Sequence, residues 1–130
     1  MKRLAFAFIP VLFMLALIVG ACGKPTGGVN STPPGTIGMD ATNFVVHAVT
    51  VKVGDTVHFV DPAGSGGTHV ICLGKDQSCN ASATGPTALK GPGFTINAGD
   101  PSKDIVFDTA GTYDVTCTVH PNMNVTVTVQ

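Results

Sequence analysis

Ala110-Gly111-Thr112-Tyr113-Asp114-Val115-Thr116-Cys117-Thr118-Val119-His120-Pro121-Asn122-Met123 is the stretch on which the fold turns. Ala110-Gly111 is a turn signal. After it, Tyr113, Val115, Cys117 and Val119 alternate with Asp114, Thr116 and Thr118, the period-2 pattern of a half-buried strand. The same pattern recurs on either side. Val125, Val127 and Val129 alternate with Thr126 and Thr128 at the carboxyl end. Upstream, Val49, Val51 and Val53 share a face against Thr50 and Lys52, and Gly54-Asp55 turns the chain. A strand then resumes over Thr56–Val60 with Val57 and Phe59 inward, and Pro62 to Gly67 breaks it. Shorter pieces follow at His69–Leu73, at Phe94 and Ile96, and at Ile105 and Phe107. Short strands with turn signals every ten or so residues predict an all-β fold, an antiparallel sandwich or barrel. Leu73 to Gly93 is the one long irregular segment, and such segments in compact domains often carry function.

Composition agrees. All eight acidic residues are Asp, and beyond Cys22 the only leucines are Leu73 and Leu89, among 16 Gly and 9 Pro in the whole chain. Scarce helix formers and abundant Val and Thr exclude a helix bundle and do not suit an α/β enzyme. A net charge of −1 with no cluster of Lys or Arg excludes nucleic acid as a partner.

The amino end reads as an address. Lys2 and Arg3 precede an uncharged run from Leu4 to Ala21, interrupted by Pro10 and closed by Gly20 and Ala21. This pattern predicts a signal peptide over 1–21 and an extracytoplasmic domain. Val19-Gly20-Ala21-Cys22 resembles a bacterial lipobox, which would make Cys22 the lipidated first residue of a membrane-anchored lipoprotein. A plainly cleaved signal or an uncleaved anchor are the alternatives. Residues 22–36, rich in Gly, Pro, Ser and Thr, predict a flexible tether. The ordered domain is expected over 37–130, enough chain for one core.

Three cysteines remain after Cys22: Cys72, Cys79 and Cys117. Outside the cytoplasm disulfides persist, and Cys72 and Cys79 are near enough in sequence to pair. That leaves Cys117 free on the apolar face at a strand's end. A lone cysteine there is ordinarily a small hydrophobe. Here His120 and Met123 follow at intervals of three, and a strand end turning into a tight loop can gather all three around one point. Two His and one Cys with a long axial Met form a blue-copper site. His69, at a strand–loop junction after Ser65-Gly66-Gly67-Thr68, is the expected second imidazole. His58 lies mid-strand opposite Val57 and Phe59, and His47 has no loop beside it. A zinc set of His69, Cys72, Cys117 and His120 is the competing reading. It requires two residues three apart on a strand to face one way, and it leaves Met123 unused.

In its ordered pieces the segment from about Val45 to Gln130 resembles the cupredoxins, the small type 1 blue copper proteins of the plastocyanin and amicyanin kind. The matching pieces are Val51 to Phe59, Thr68-His69-Val70, Ala110 to Cys117, and then His120 and Met123. The short Cys-x-x-His-x-x-Met loop is most similar to that of amicyanin. The resemblance implies a Greek-key β-sandwich, one copper ion on His69, Cys117, His120 and Met123, and electron transport rather than enzymatic turnover. It also implies a monomer that meets a redox protein partner (a cytochrome, oxidase or reductase) near His120, Pro121 and Asn122. A copper carrier using the same ligands, or a metal-free sandwich, are the alternatives. Val70 stands where the family often has Asn, Asn124 where it often has Gly, and the Cys72–Cys79 loop is an addition. With Thr116 and Thr118 beside Cys117, and no second Cys in the loop, the chain lacks the signatures of multicopper oxidases and dinuclear copper centres.

Overall fold

The computed structural model describes residues 33–130. The leader expected at 1–21, Cys22 and most of the tether expected at 22–36 lie outside the described residues. Among the described residues there are nine strands: β1 Thr36–Gly38, β2 Ala48–Val51, β3 Thr56–Val60, β4 Thr68–Lys75, β5 Ser78–Cys79, β6 Phe94–Asn97, β7 Lys103–Val106, β8 Gly111–Cys117 and β9 Asn124–Val129. One sheet runs in the order β1-β3-β7. The other runs β2-β9-β8-β4, with β6 and the short β5 also paired to β4. Together they make the all-β sandwich expected from the alternation.

Two pairings are parallel rather than antiparallel: β1 with β3, and β2 with β9. Parallel neighbours need a long crossover, whereas hairpins need only a tight turn. The chain places β1 in one sheet and β2 in the other before returning, so neither strand lies beside its sequence neighbour. Turn signals report only adjacent strands and do not register this.

The inward faces are those of the alternation. Val57 and Phe59 on β3, Val115 and Cys117 on β8, and Val127 on β9 are fully buried. Burying a side chain such as Phe59 contributes about 1.5–3 kcal/mol, and its ring meets Phe94 edge-on at 5.5 Å. Tyr113 closes the other end against Phe107, and its hydroxyl donates to the Thr109 carbonyl at 2.7 Å. Val53 and Val119 depart from the expected faces, at 50% and 48% exposed, and Thr116, on the polar face of β8, is fully buried. The Thr118 N–H still bonds the Val70 carbonyl opposite it, but the Val119 N–H turns to the Cys117 sulfur, and there the backbone leaves the ladder.

The segment read as irregular, 73–93, is partly ordered. Leu73 belongs to β4, β4 and β5 form a hairpin, and a 3-10 turn at Thr87–Leu89 buries Leu89. Cys72 and Cys79 are joined by a disulfide with Cα atoms 5.6 Å apart. Closing that loop of eight residues stabilises the fold by about 2.5 kcal/mol on chain entropy. Gly74 has φ +153°, and a Cβ there would lie 2.0 Å from the Ser78 carbonyl oxygen. The hairpin therefore requires glycine at this position.

Candidate metal centre

Strand register carries the site residues to one end of the sandwich. β4 and β8 are antiparallel with Ile71 opposite Cys117, so His69, two residues earlier on β4, lies at the same end as Cys117. β8 then leaves the sheet into the loop 118–123 and returns as β9. The Cys117 N–H donates to the Met123 carbonyl at 3.0 Å, closing the neck of this loop. Asn122 sits at φ +61° between Pro121 and Met123, a left-handed position that Asn adopts more readily than most residues.

His69, Cys117 and His120 present donor atoms all within 4.8 Å of one another. The Cys117 sulfur lies 3.9 Å from His69 Nδ1 and 3.7 Å from His120 Nδ1. The imidazole rings are tilted by 55° with centroids 4.9 Å apart. His69 and Cys117 are fully buried and His120 is partly covered. Met123 is also buried. Gly67 lies against both rings. A Cβ at that position (φ +100°) would come within 3.7 Å of His69 Nε2 and of His120 Cε1, and 3.1 Å from the Ala41 carbonyl oxygen.

Behind His69 lies a residue absent from the expected site. Asp61 is buried, with Oδ2 3.7 Å from His69 Nε2, and neither atom has a hydrogen-bond partner. The Ser65 hydroxyl donates to its other oxygen. The alternation carries a signal for it, because Val57, Phe59 and Asp61 share a face at a spacing of two. Burial pushes the pKa of His69 below the usual imidazole range, Asp61 opposes this, and His120 adds to it. A neutral ring with a free lone pair on Nδ1 is the form a metal takes.

His47 is exposed, and His58 lies on the outer face of β3, where its Nδ1 pairs with Asp104 at 2.8 Å. Neither belongs to the cluster. Cys72, needed for the zinc set, is consumed by its disulfide.

Two imidazole nitrogens and one thiol, gathered in a buried pocket and lacking other strong partners, are the donor set of type 1 copper. The comparisons agree with this chemistry. No curated protein is similar enough to the chain to count as a match. Among solved structures, amicyanin from Paracoccus versutus is 24% identical over 79% of this chain and 86% of its own, with a TM-score of 0.55. An oxidized amicyanin mutant is 22% identical over 77% of this chain and 85% of its own, with a TM-score of 0.57. A mutant plastocyanin of fern is 25% identical over 73% of this chain and 99% of its own, with a TM-score of 0.53. These likenesses show a cupredoxin fold. Residues 35–130 match the sequence model of the family described as copper binding proteins, plastocyanin/azurin family. With copper-type donors converging at the end of a cupredoxin sandwich, the chain belongs to the plastocyanin/azurin family of copper-binding proteins.

Proposed function

We propose that the chain is a one-electron carrier with a mononuclear type 1 copper site, in which Nδ1 of His69 and His120, the thiolate of Cys117 and the thioether of Met123 would hold the ion. The observation that carries this reading is that both Nδ1 atoms lie within 4 Å of one buried sulfur. Copper, when bound, supplies a Cu(I)/Cu(II) couple. The protein supplies the cage. Cys117 is fixed by its pairing with Ile71 on β4, and the Val119 N–H donates to its sulfur at 3.4 Å, the kind of contact that tunes a copper–thiolate potential. His69 is fixed by β4, with its Nε2 side directed at Asp61. At that distance the carboxylate acts on the ring through its charge rather than through a hydrogen bond.

His120 is the ligand that is only partly covered, which makes its ring edge the port for the electron. Half-exposed Val119, with Pro121 and Asn122, would border a small docking patch for a cytochrome, oxidase or reductase met by a monomer. With all four positions filled by protein, no position is open to a reactant, so the chain is not an enzyme. The domain spans 37–130, exported by the leader at 1–21 and tethered through 22–36 to a lipid on Cys22. No helix among the described residues is long and apolar enough to cross a membrane.

The copper-loaded chain should show an intense visible thiolate-to-copper band that Cys117→Ser abolishes, and it should exchange electrons with a cytochrome in stopped-flow mixing. Copper hand-off to a metal-free acceptor without electron exchange would replace this reading with that of a carrier. Cys22→Ser should move the chain from the membrane to the soluble fraction.

A further inference from the structure

The tip of the β4–β5 hairpin buries almost nothing. Lys75, Asp76, Gln77 and Ser78 are all exposed, so apolar burial does not account for its being closed by a disulfide. Its polar contacts go to one place. The ladder between β8 and β9 ends at the pair Thr116–Asn124, and the loop bearing His120 leaves from that last rung. The tip of the hairpin is bonded to both sides of it.

On one side, the Asp76 N–H donates to Asn124 Oδ1 at 3.0 Å, and Asn124 Nδ2 donates back to Asp76 Oδ1 at 2.9 Å. On the other side, the Gln77 N–H donates to Thr116 Oγ1 at 3.1 Å. The same hydroxyl, fully buried, donates to the Met123 carbonyl at 3.2 Å. Gln77 Nε2 reaches past the rung to the Thr118 carbonyl at 3.3 Å. Asp76 and Gln77 both hold positive φ, 50° and 64°, which gives the tip the tight turn that aims its two N–H groups outward. Residues immediately before Cys117, immediately after it and immediately after Met123 are thus tied to a single rigid element.

We propose that the disulfide-closed hairpin Cys72–Cys79 is a brace for the ligand loop, which keeps the loop from opening and so slows the departure of copper. This rests on the ligand assignment made above. It assigns a positioning role to Asp76, Gln77 and Asn124, none of which contacts the donor atoms. Opening the loop must break these bonds in the braced chain and need not break them in an unbraced one.

The test uses the full copper-loaded chain with an excess of a copper chelator, following the decay of the visible band at a temperature where circular dichroism shows every variant folded. Asn124→Ala, and Cys72→Ser combined with Cys79→Ser, should each release copper roughly tenfold faster, as expected for losing one or two hydrogen bonds that only the closed loop makes. Gln77→Ala, which removes a single longer bond at an exposed side chain, should give a few-fold increase. The band itself should keep its position, because the donors are unchanged. In the copper-free chain, amide exchange at Thr118 and Val119 should quicken in the same order. Val127→Ala is the control for general destabilisation. It opens a cavity in β9 away from the rung and should leave the release rate unchanged.

Release rates within twofold of the unchanged chain for both Asn124→Ala and the cysteine pair would overturn the brace, as would equal acceleration by Val127→Ala. If the cysteine pair does not fold, Asn124→Ala and Gln77→Ala decide the matter by the same criteria. Absence of the visible band in the unchanged chain would be a separate result: it would overturn the ligand assignment and the brace with it.

Discussion

Strand β3 carries two histidine–aspartate encounters that look alike on paper and differ in consequence. On its outer face, His58 Nδ1 meets Asp104 at 2.8 Å, with the two side chains 33% and 53% exposed. At its end, Asp61 faces His69 Nε2 at 3.7 Å with both side chains fully buried. The first has the better hydrogen-bond geometry and the smaller role, because water competes for both partners and screens their charge. In the second, neither Asp61 Oδ2 nor His69 Nε2 has a hydrogen-bond partner, and in a dry interior an unmatched polar group is costly. Burial, rather than distance, decides which pair matters to the metal centre.

The strongest way to break the comparison is to remove the scaffold that both pairs share. Phe59→Ala takes a fully buried ring out of β3. It should lower the unfolding free energy by about 3–5 kcal/mol, measured by urea denaturation of the copper-free chain. Asp61→Ala comes next. It strands the Ser65 hydroxyl and leaves His69 Nε2 facing a gap, at an expected cost of about 1–3 kcal/mol in the same assay.

Asp61→Asn sharpens the contrast, since it keeps the shape and removes the charge. A negative charge behind a ligand imidazole favours Cu(II) over Cu(I). The potential, read by redox titration of the visible band, should therefore rise by tens of millivolts, on the scale of about 59 mV for each tenfold change in relative affinity. Asp104→Asn should show the smallest effect: a slight loss of stability at neutral pH, no change in potential, and less difference still in high salt. The His58 ring and the Ser102 hydroxyl hold the Asp104 carboxyl below its ordinary value of 3.8. The folded chain thus takes up that proton less readily than the unfolded chain. The stabilisation is complete well above pH 3.8 and is lost as the pH falls through the depressed folded value. Unfolding midpoints of Asp104→Asn and the unchanged chain should accordingly converge in acid.

Much of this molecule was legible from local pattern. Tyr113, Val115 and Cys117 on one side and Val125, Val127 and Val129 on the other gave two adjacent strands with their inward faces. The spacing of Cys117, His120 and Met123 named a donor set. The strand–loop junction at His69 distinguished it from His58 and His47. Val119 was misplaced because the alternation continues in the sequence past the point where the backbone leaves the ladder. β1 was missed because three residues, Thr36–Gly38, are too few to show a period, and its partner β3 lies across a crossover. Asp61 lies one residue beyond the strand expected over Thr56–Val60, although its position continues the buried face of Val57 and Phe59.

By itself, the sequence determined the inward faces of β3 and β9 and of β8 as far as Cys117, and which donor types stand at the end of β8, since both follow from spacing along one strand. Only the tertiary structure decided that His69 and Cys117, 48 residues apart, share one point, that Asp61 stands behind that point, and that a hairpin tip grips the rung beneath it. The physical reason is that side-chain direction is a local property with a period of two, whereas convergence depends on register between strands. Register is set by pairings such as Ile71 with Cys117, which join residues far apart in the chain and leave no mark in the pattern of either strand alone.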